Sequence, residues 1–173
     1  MISNKAIKSH SILFALLLLY LTDVSAYEEL RIAVLDFELR DMTVIPKTPE
    51  EIARTASVKP LLEEELRKSG YQIVGIPLDA QQQATSGVGY LFDHADVAAQ
   101  LGKLYGADYV VVGRLHKPSF LFVYLMVHLV DVKKAELTAD FLSEIKGSEK
   151  KLTLKGVESL TVKINHALKP TDQ

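Results

Sequence analysis

The 173-residue chain carries 20 Lys and Arg against 22 Asp and Glu, a formal charge of −2. That balance gives no electrostatic case for nucleic acid or an anionic membrane surface. The absence of cysteine excludes disulfides, thiol redox chemistry and cysteine metal sites, so the core alone must hold the fold.

The first residues read apart from the rest. "MISNKAIKSH" supplies Lys5 and Lys8, Ser11 to Leu21 is an unbroken apolar run, and "TDVSA" ends on Val24 and Ala26. This is the layout of a secretory signal peptide, with cleavage expected between Ala26 and Tyr27. The apolar run is shorter than the roughly 20 residues that cross a bilayer, although retention as an anchor is the alternative. No cysteine follows to carry a lipid. Residues 1–26 are therefore expected to be a cleaved signal and residues 27–173 a single domain exported to the periplasm. Without Lys5, Lys8 and Asp23 the mature chain has 18 basic and 21 acidic residues, a charge of −3.

"LRIAVLDFEL" (30–39) reads as one strand, apolar enough to be covered on both faces. "TPEE" offers Thr48 as N-cap, Pro49 at the first helical position and Glu51 three residues on, a capping box. The following helix places Ile52, Ala56, Leu62 and Leu66 on one stripe and stops before Gly70. Pro60 predicts a kink or break near Ala56–Lys59. "YQIVGI" (71–76) is a second strand, and Leu78–Phe92 has no clear period and reads as a mobile loop.

Asp93 and Asp96 open a second helix that Gly106 closes. "DYVVVGRLH", "FLFVYLMVHLVDV" and "ELTADFLSEIK" are three further strands, joined at Lys117-Pro118-Ser119 and Lys133–Ala135. A last helix runs from Ser148, with Leu154, Val157, Leu160 or Thr161, Ile164 and Leu168 at helical spacing and Gly156 weakening it. The order β-α-β-α-β-β-β-α implies an α/β (α+β) domain: a single mixed sheet of about five strands with helices packed on it. Reading residues 105–132 as a membrane span would put Arg114, His116 and Lys117 in hydrocarbon. They fit a hairpin instead. Both faces of its second strand are apolar, so that strand is either covered on each side or offers one face to a partner.

No catalytic set stands out. Asp36, Glu38 and Asp41 cluster at the end of the first strand, where open sheets bind ligands. They could serve as acid and base or hold a cation, with His94 or His128 as the nearest histidine candidates. The plainer reading is a solvated rim paired with Arg54. A hairpin centred on Pro118 would set His128 opposite Asp108. "SEIK" (143–146) matches Ser-x-x-Lys without its companion motifs, and "SGVGYL" completes no dinucleotide fingerprint. Lys117, Ser119 and the 78–92 loop are the better surface candidates.

"RIAVLDFEL", "LLEEELRKSGYQIV" and "AAQLGKLYGADYVVVGRLHKPSFLFVYLMVHLVDV" resemble, in that order, an uncharacterised family of secreted bacterial proteins. The wider pattern is similar to the N-terminal periplasmic α/β domain of the translocation protein TolB and to the curli-secretion protein CsgG. Asp36, Arg54, Gly106, Ala107, Gly113, Lys117, Ser119 and Asp131 match the family pattern. "KGSEKKLTLKG" and the missing cysteines depart from it. The resemblance implies a periplasmic accessory or assembly domain, with a link to quinoprotein alcohol dehydrogenases.

The expected function is thus non-catalytic binding or assembly with another envelope protein, through a surface that includes Asp36, Glu38, Arg54, Lys117 and Ser119. No cofactor, metal or nucleic acid is expected, nor a membrane span in the mature chain. Two alternatives are a small-ligand or metal-binding protein or enzyme using Asp36, Glu38 and a His, and a subunit that self-associates, possible as a homo-oligomer, through its sheet edge.

Overall fold

A computed structural model describes residues 29–45, 48–146 and 150–169. The expected signal peptide, residues 1–26, lies outside the described residues. Six strands, β1 (Arg31–Val34), β2 (Glu38–Asp41), β3 (Gln72–Val74), β4 (Tyr109–Lys117), β5 (Phe122–Asp131) and β6 (Glu136–Lys146), form one mixed sheet. Among the described residues five helices accompany it: α1 (Pro49–Lys68), α2 (Leu78–Ala84), α3 (Tyr90–Asp93), α4 (Ala95–Leu104) and α5 (Lys150–Leu168). The sheet order is β3-β1-β4-β5-β6, parallel from β3 to β4 and antiparallel beyond, with β2 pairing parallel to the second half of β4. The mixed α/β class is the one the sequence implies.

Two cores sandwich the sheet. On one face Ile32, Val34, Val111, Leu115, Val127 and Leu129 pack under α1 and α5, which contribute Val58, Leu62, Leu66, Val157, Leu160 and Ile164. On the other, Ala33, Leu35, Val110, Val112 and Val130 meet Leu91, Phe92, Ala98 and Leu101 of α3 and α4. Alternation along each strand feeds the two cores, which is why β1 and the start of β4 read as continuous apolar runs.

The structure departs from the sequence reading at several places. The first strand is two: after a last bond from the Leu35 N–H to the Val111 carbonyl, Asp36 and Phe37 leave the ladder, and the ring of Phe37 settles over Gly113 of β4. α1 runs unbroken through Pro60. Pro60 and Ala56, whose carbonyl loses its partner, are both exposed, so the missing bond falls on the solvent side of the helix. The buried stripe of α1 is Glu51, Arg54, Thr55, Val58, Leu62 and Leu66, while Ile52 and Ala56 face outward. Only the second half of the expected stripe holds, because two charged residues turn inward in the first turns.

Residues 78–92 are not one loop. α2 forms there, fixed by Gln81, whose side-chain amide is buried and bonds Asp36 and the carbonyl of Ile76. The short α3 follows Gly87 and Gly89, both at positive φ. The hairpin turns at Pro118–Leu121, two residues later than a Pro118-centred turn. Ser119 Oγ accepts the N–H groups of Leu121 and Phe122, both at 3.3 Å, holding Phe120 and Leu121 out of the strand. The register accordingly sets His128 opposite Val112 and Asp140, not Asp108.

Candidate functional site

Two of the residues singled out by sequence, Arg54 and Lys117, fall at the end of the sheet where β2 and β4 finish. Leu39 and Asp41 of β2 lie opposite Leu115 and Lys117 of β4, all on the face covered by α1 and α5. Lys117, the last residue of β4, is therefore carried under the first turn of α1. Its Nζ is 2.9 Å from Oε1 of Glu51 and 3.9 Å from Oδ2 of Asp41. Glu51 Oε2 lies 3.6 Å from Nη1 of Arg54, whose Nε donates to Thr153 of α5 at 2.9 Å.

Every charged group in this cluster is buried: the side chains of Lys117, Glu51, Arg54 and Asp41 are 9%, 7%, 7% and 0% exposed. Burial pushes the Arg54 guanidinium below its ordinary value, opposed by the Glu51 charge. Two cations thus face two carboxylates away from water, so that loss of one member removes a buried partner from another. Thr48 caps α1 by accepting the N–H of Glu51 at 3.4 Å. The Glu51 carboxylate, instead of returning to the cap as a capping box would have it, points to Lys117.

The cluster joins two of the five expected site residues, Arg54 and Lys117, with Asp41 and Glu51. The other three are elsewhere. Asp36 accepts from Lys59 Nζ at 3.0 Å and from Gln81 at 2.8 Å, so its partner is Lys59 rather than Arg54. Glu38 accepts the N–H of Gly89 at 2.7 Å on the opposite face. Ser119 is spent on the hairpin turn. The two histidine candidates each have their own contact: His94 Nδ1 lies 2.9 Å from the Tyr90 carbonyl, and His128 Nδ1 lies 2.9 Å from the Phe92 carbonyl while its ring stacks on Phe92. Among the described residues no group of three His, Asp or Glu side chains could hold a metal ion.

Above the buried cluster the surface is apolar. Met42, whose N–H bonds the Lys117 carbonyl, is 61% exposed, and Val44 and Ile45 beyond it are 89% and 68% exposed. Phe120 and Leu121 at the hairpin tip are 66% and 72% exposed, and Lys117 Nζ sits 5.7 Å from the centre of the Phe120 ring. Ile52, next to Glu51, is 53% exposed. Exposed apolar side chains at one end of a sheet are candidates for a docking surface. Sequence reasoning placed Phe120 and Leu121 in a strand and so missed the tip. The signal available was Ser119 two residues after Lys117, an ST-turn residue that delays the strand.

Comparison with known proteins matches residues 30–164 to the family DUF3280, described as a protein of unknown function (DUF2380). The chain belongs to this family. No curated protein matches it. Among solved structures, the family member is similar to the PelC dodecamer from Paraburkholderia phytofirmans, at 17% identity and a TM-score of 0.53, over 83% of this chain and 90% of that one. TolB from Acinetobacter baumannii matches at 16% identity and 0.53, over 84% of this chain and 30% of that one. The hypothetical protein CT253 from Chlamydia trachomatis matches at 8% identity and 0.53, over 83% and 99%. At these identities the likeness is one of fold. No helix of the described residues is long and apolar enough to cross a membrane.

Proposed function

We propose that this member of DUF3280 is a non-catalytic accessory protein of the bacterial periplasm, and that it engages another envelope protein through the strand-end surface around Met42, Val44, Phe120 and Leu121. The observation that carries the reading is the pairing of that exposed apolar group with the buried Lys117–Glu51–Arg54 cluster beneath it. Lys117 ends β4 and Glu51 begins α1, so the ion pair fixes hairpin and helix together and preorganises the surface. Arg54 and Lys117 then act on binding by holding the surface, as does Ser119 by shaping the turn. Asp36 and Glu38 position α2 and the Gly89 turn. The signal layout at residues 1–26 supports export, and the TolB-like fold is consistent with an envelope role. The link to a quinoprotein dehydrogenase rests on the family resemblance alone.

The test uses tagged mature chain, Tyr27–Gln173, to capture proteins from a periplasmic extract of its own host. One envelope protein recovered in proportion, and lost with Phe120→Ser and Leu121→Ser while the fold persists, supports the reading. Equal recovery with both variants overturns the assigned surface. PelC is described as a dodecamer, so self-association is the second reading, and light scattering decides it: a large assembly that Phe120→Ser dissolves would make the partner a second copy.

A further inference from the structure

On the face opposite the ion cluster, α3 and α4 cover only part of the sheet. Arg114 of β4 stands at the border. It is 8% exposed, and its guanidinium carbon lies 4.1 Å from the centre of the Phe92 ring. Among the described residues no carboxylate comes within 4.0 Å of it, although Glu38 is its register partner on β2. Glu38 is held off by the N–H of Gly89. A Cβ on Gly89 would stand 3.0 Å from Arg114 Nη2, and Gly89 sits at φ +83°, so a glycine is what lets the turn close down on the guanidinium.

A second observation lies one step along the face. His116, two residues on, has a buried Nδ1 with no hydrogen-bond partner. Arg40 is its neighbour on β2 and Tyr124 its neighbour on β5. Beyond them Phe122 and Leu142 are 40% and 49% exposed. A nearly buried guanidinium without a carboxylate and an unsatisfied imidazole nitrogen therefore share one sheet face with uncovered apolar side chains. The buried imidazole nitrogen costs free energy as it stands.

We propose that Arg114 anchors a carboxylate-binding site, and that its occupant is an acidic, apolar-flanked segment of a partner polypeptide laid across the uncovered part of this face. The planar guanidinium suits a carboxylate, which it can take through two parallel N–H bonds. Glu38, Glu144 and Asp93 border the face together with Arg40 and Lys146, so charges of both signs lie around Arg114, and its own single charge matches one carboxylate. The same sheet face carries Phe122 and Leu142, both partly exposed, whose burial needs a chain segment rather than a small acid. The proposal rests on the accessory reading for its partner class, but it assigns a different face.

The test is a titration of the mature protein, observed by NMR at the Arg114 Nε–H and the His116 ring, with N-acetyl-Phe-Asp-Phe-amide, sodium acetate and inorganic phosphate as probes. The expected result is a saturable shift with the peptide, at least about tenfold weaker for Arg114→Gln, and no saturation with acetate or phosphate over the same range. Phosphate binding as tightly as the peptide, or acetate doing so, overturns the polypeptide assignment. No shift at Arg114 with any probe overturns the site. Because Arg114→Gln could fail to fold, the wild-type titration stands by itself, and Arg114→Lys, which keeps charge but not the bidentate geometry, is expected to fall between the two. In the periplasmic capture, a partner lost with Phe120→Ser but retained with Arg114→Gln would sink this inference and leave the accessory reading intact.

Discussion

Phe37 lies on Gly113 so closely that a Cβ at residue 113 would stand 2.2 Å from the ring's Cζ. The contact explains two features together: a glycine in the middle of a buried strand, and the interruption of the first strand at Leu35–Phe37. Leaving the ladder allows Phe37 to turn its ring into the core formed by β4 and α1. Gly113→Ala is expected to destabilise the protein by about 1–3 kcal/mol through overpacking, despite alanine's smaller backbone entropy cost. In a Phe37→Ala background the added cost should vanish. A thermal-unfolding double-mutant cycle checks this, and additive losses would count against the contact.

The Lys117–Glu51 pair predicts a larger effect. Lys117→Met removes the ammonium that Glu51 meets at 2.9 Å and leaves Asp41, fully buried, without it. Breaking a buried pair in this way costs about 3–5 kcal/mol. Adding Glu51→Gln to Lys117→Met should recover part of that loss, since Arg54 then faces one carboxylate in place of two. Urea unfolding measures both, and a Lys117→Met protein of wild-type stability would mean the network holds nothing. A charge reversal such as Lys117→Glu would report on folding rather than on binding, which is why exposed Phe120 and Leu121 are the informative positions for the partner surface.

Much of the fold was legible because alternation and period are local. The apolar runs at Ile32–Leu35 and Tyr109–Leu115, the helix that starts at Thr48-Pro49 and the turn at Lys133–Ala135 each follow from neighbouring residues. What escaped depended on partners distant in sequence. Gln81 anchors α2 only because Asp36 and the Ile76 carbonyl are there to bond it. Gly156 reads as a weak point in α5, yet its Cβ would stand 2.8 Å from Ile145, so its smallness lets the helix approach the sheet. The site was half legible. Arg54 and Lys117 carry the family pattern, but only a register that sets Asp41 beside Lys117 shows what they pair with.

Asp108 and Arg31 join the starts of β4 and β1 through bonds of 3.1 and 2.8 Å between side chains, with the Arg31 N–H adding a third at 2.8 Å. Bonding to Arg31 holds the Asp108 carboxyl below its ordinary value of 3.8. In the unfolded chain the group titrates near that ordinary value. The stabilisation is therefore present above about pH 4 and is lost as pH falls through the lower folded value. Both side chains keep a third or more of their exposure, so the effect is modest. The stability difference between wild type and Asp108→Asn is expected to be constant from pH 7 to 5 and to shrink below pH 4. A difference that persists unchanged to pH 2 would contradict the pairing.

His116 gives the opposite end of the acid range a signature. Burial, then the charges of Arg40 and Arg114, push its ring below the ordinary 6.5. The unfolded chain thus takes up a proton near pH 6.5 where the folded chain does not, and folding loses stability as pH drops from there to the lower folded value. Below that value both states are protonated and the loss stops growing. His116→Gln cannot titrate, so it should lose less stability than wild type as pH falls through about 6.5, and the gap between the two should stop widening once pH passes the lower folded value. Stability curves taken at half-unit steps of pH test this. Parallel curves would mean that the ring is protonated as easily in the fold as out of it, and that the two arginines exert no field where they meet the open face of the sheet.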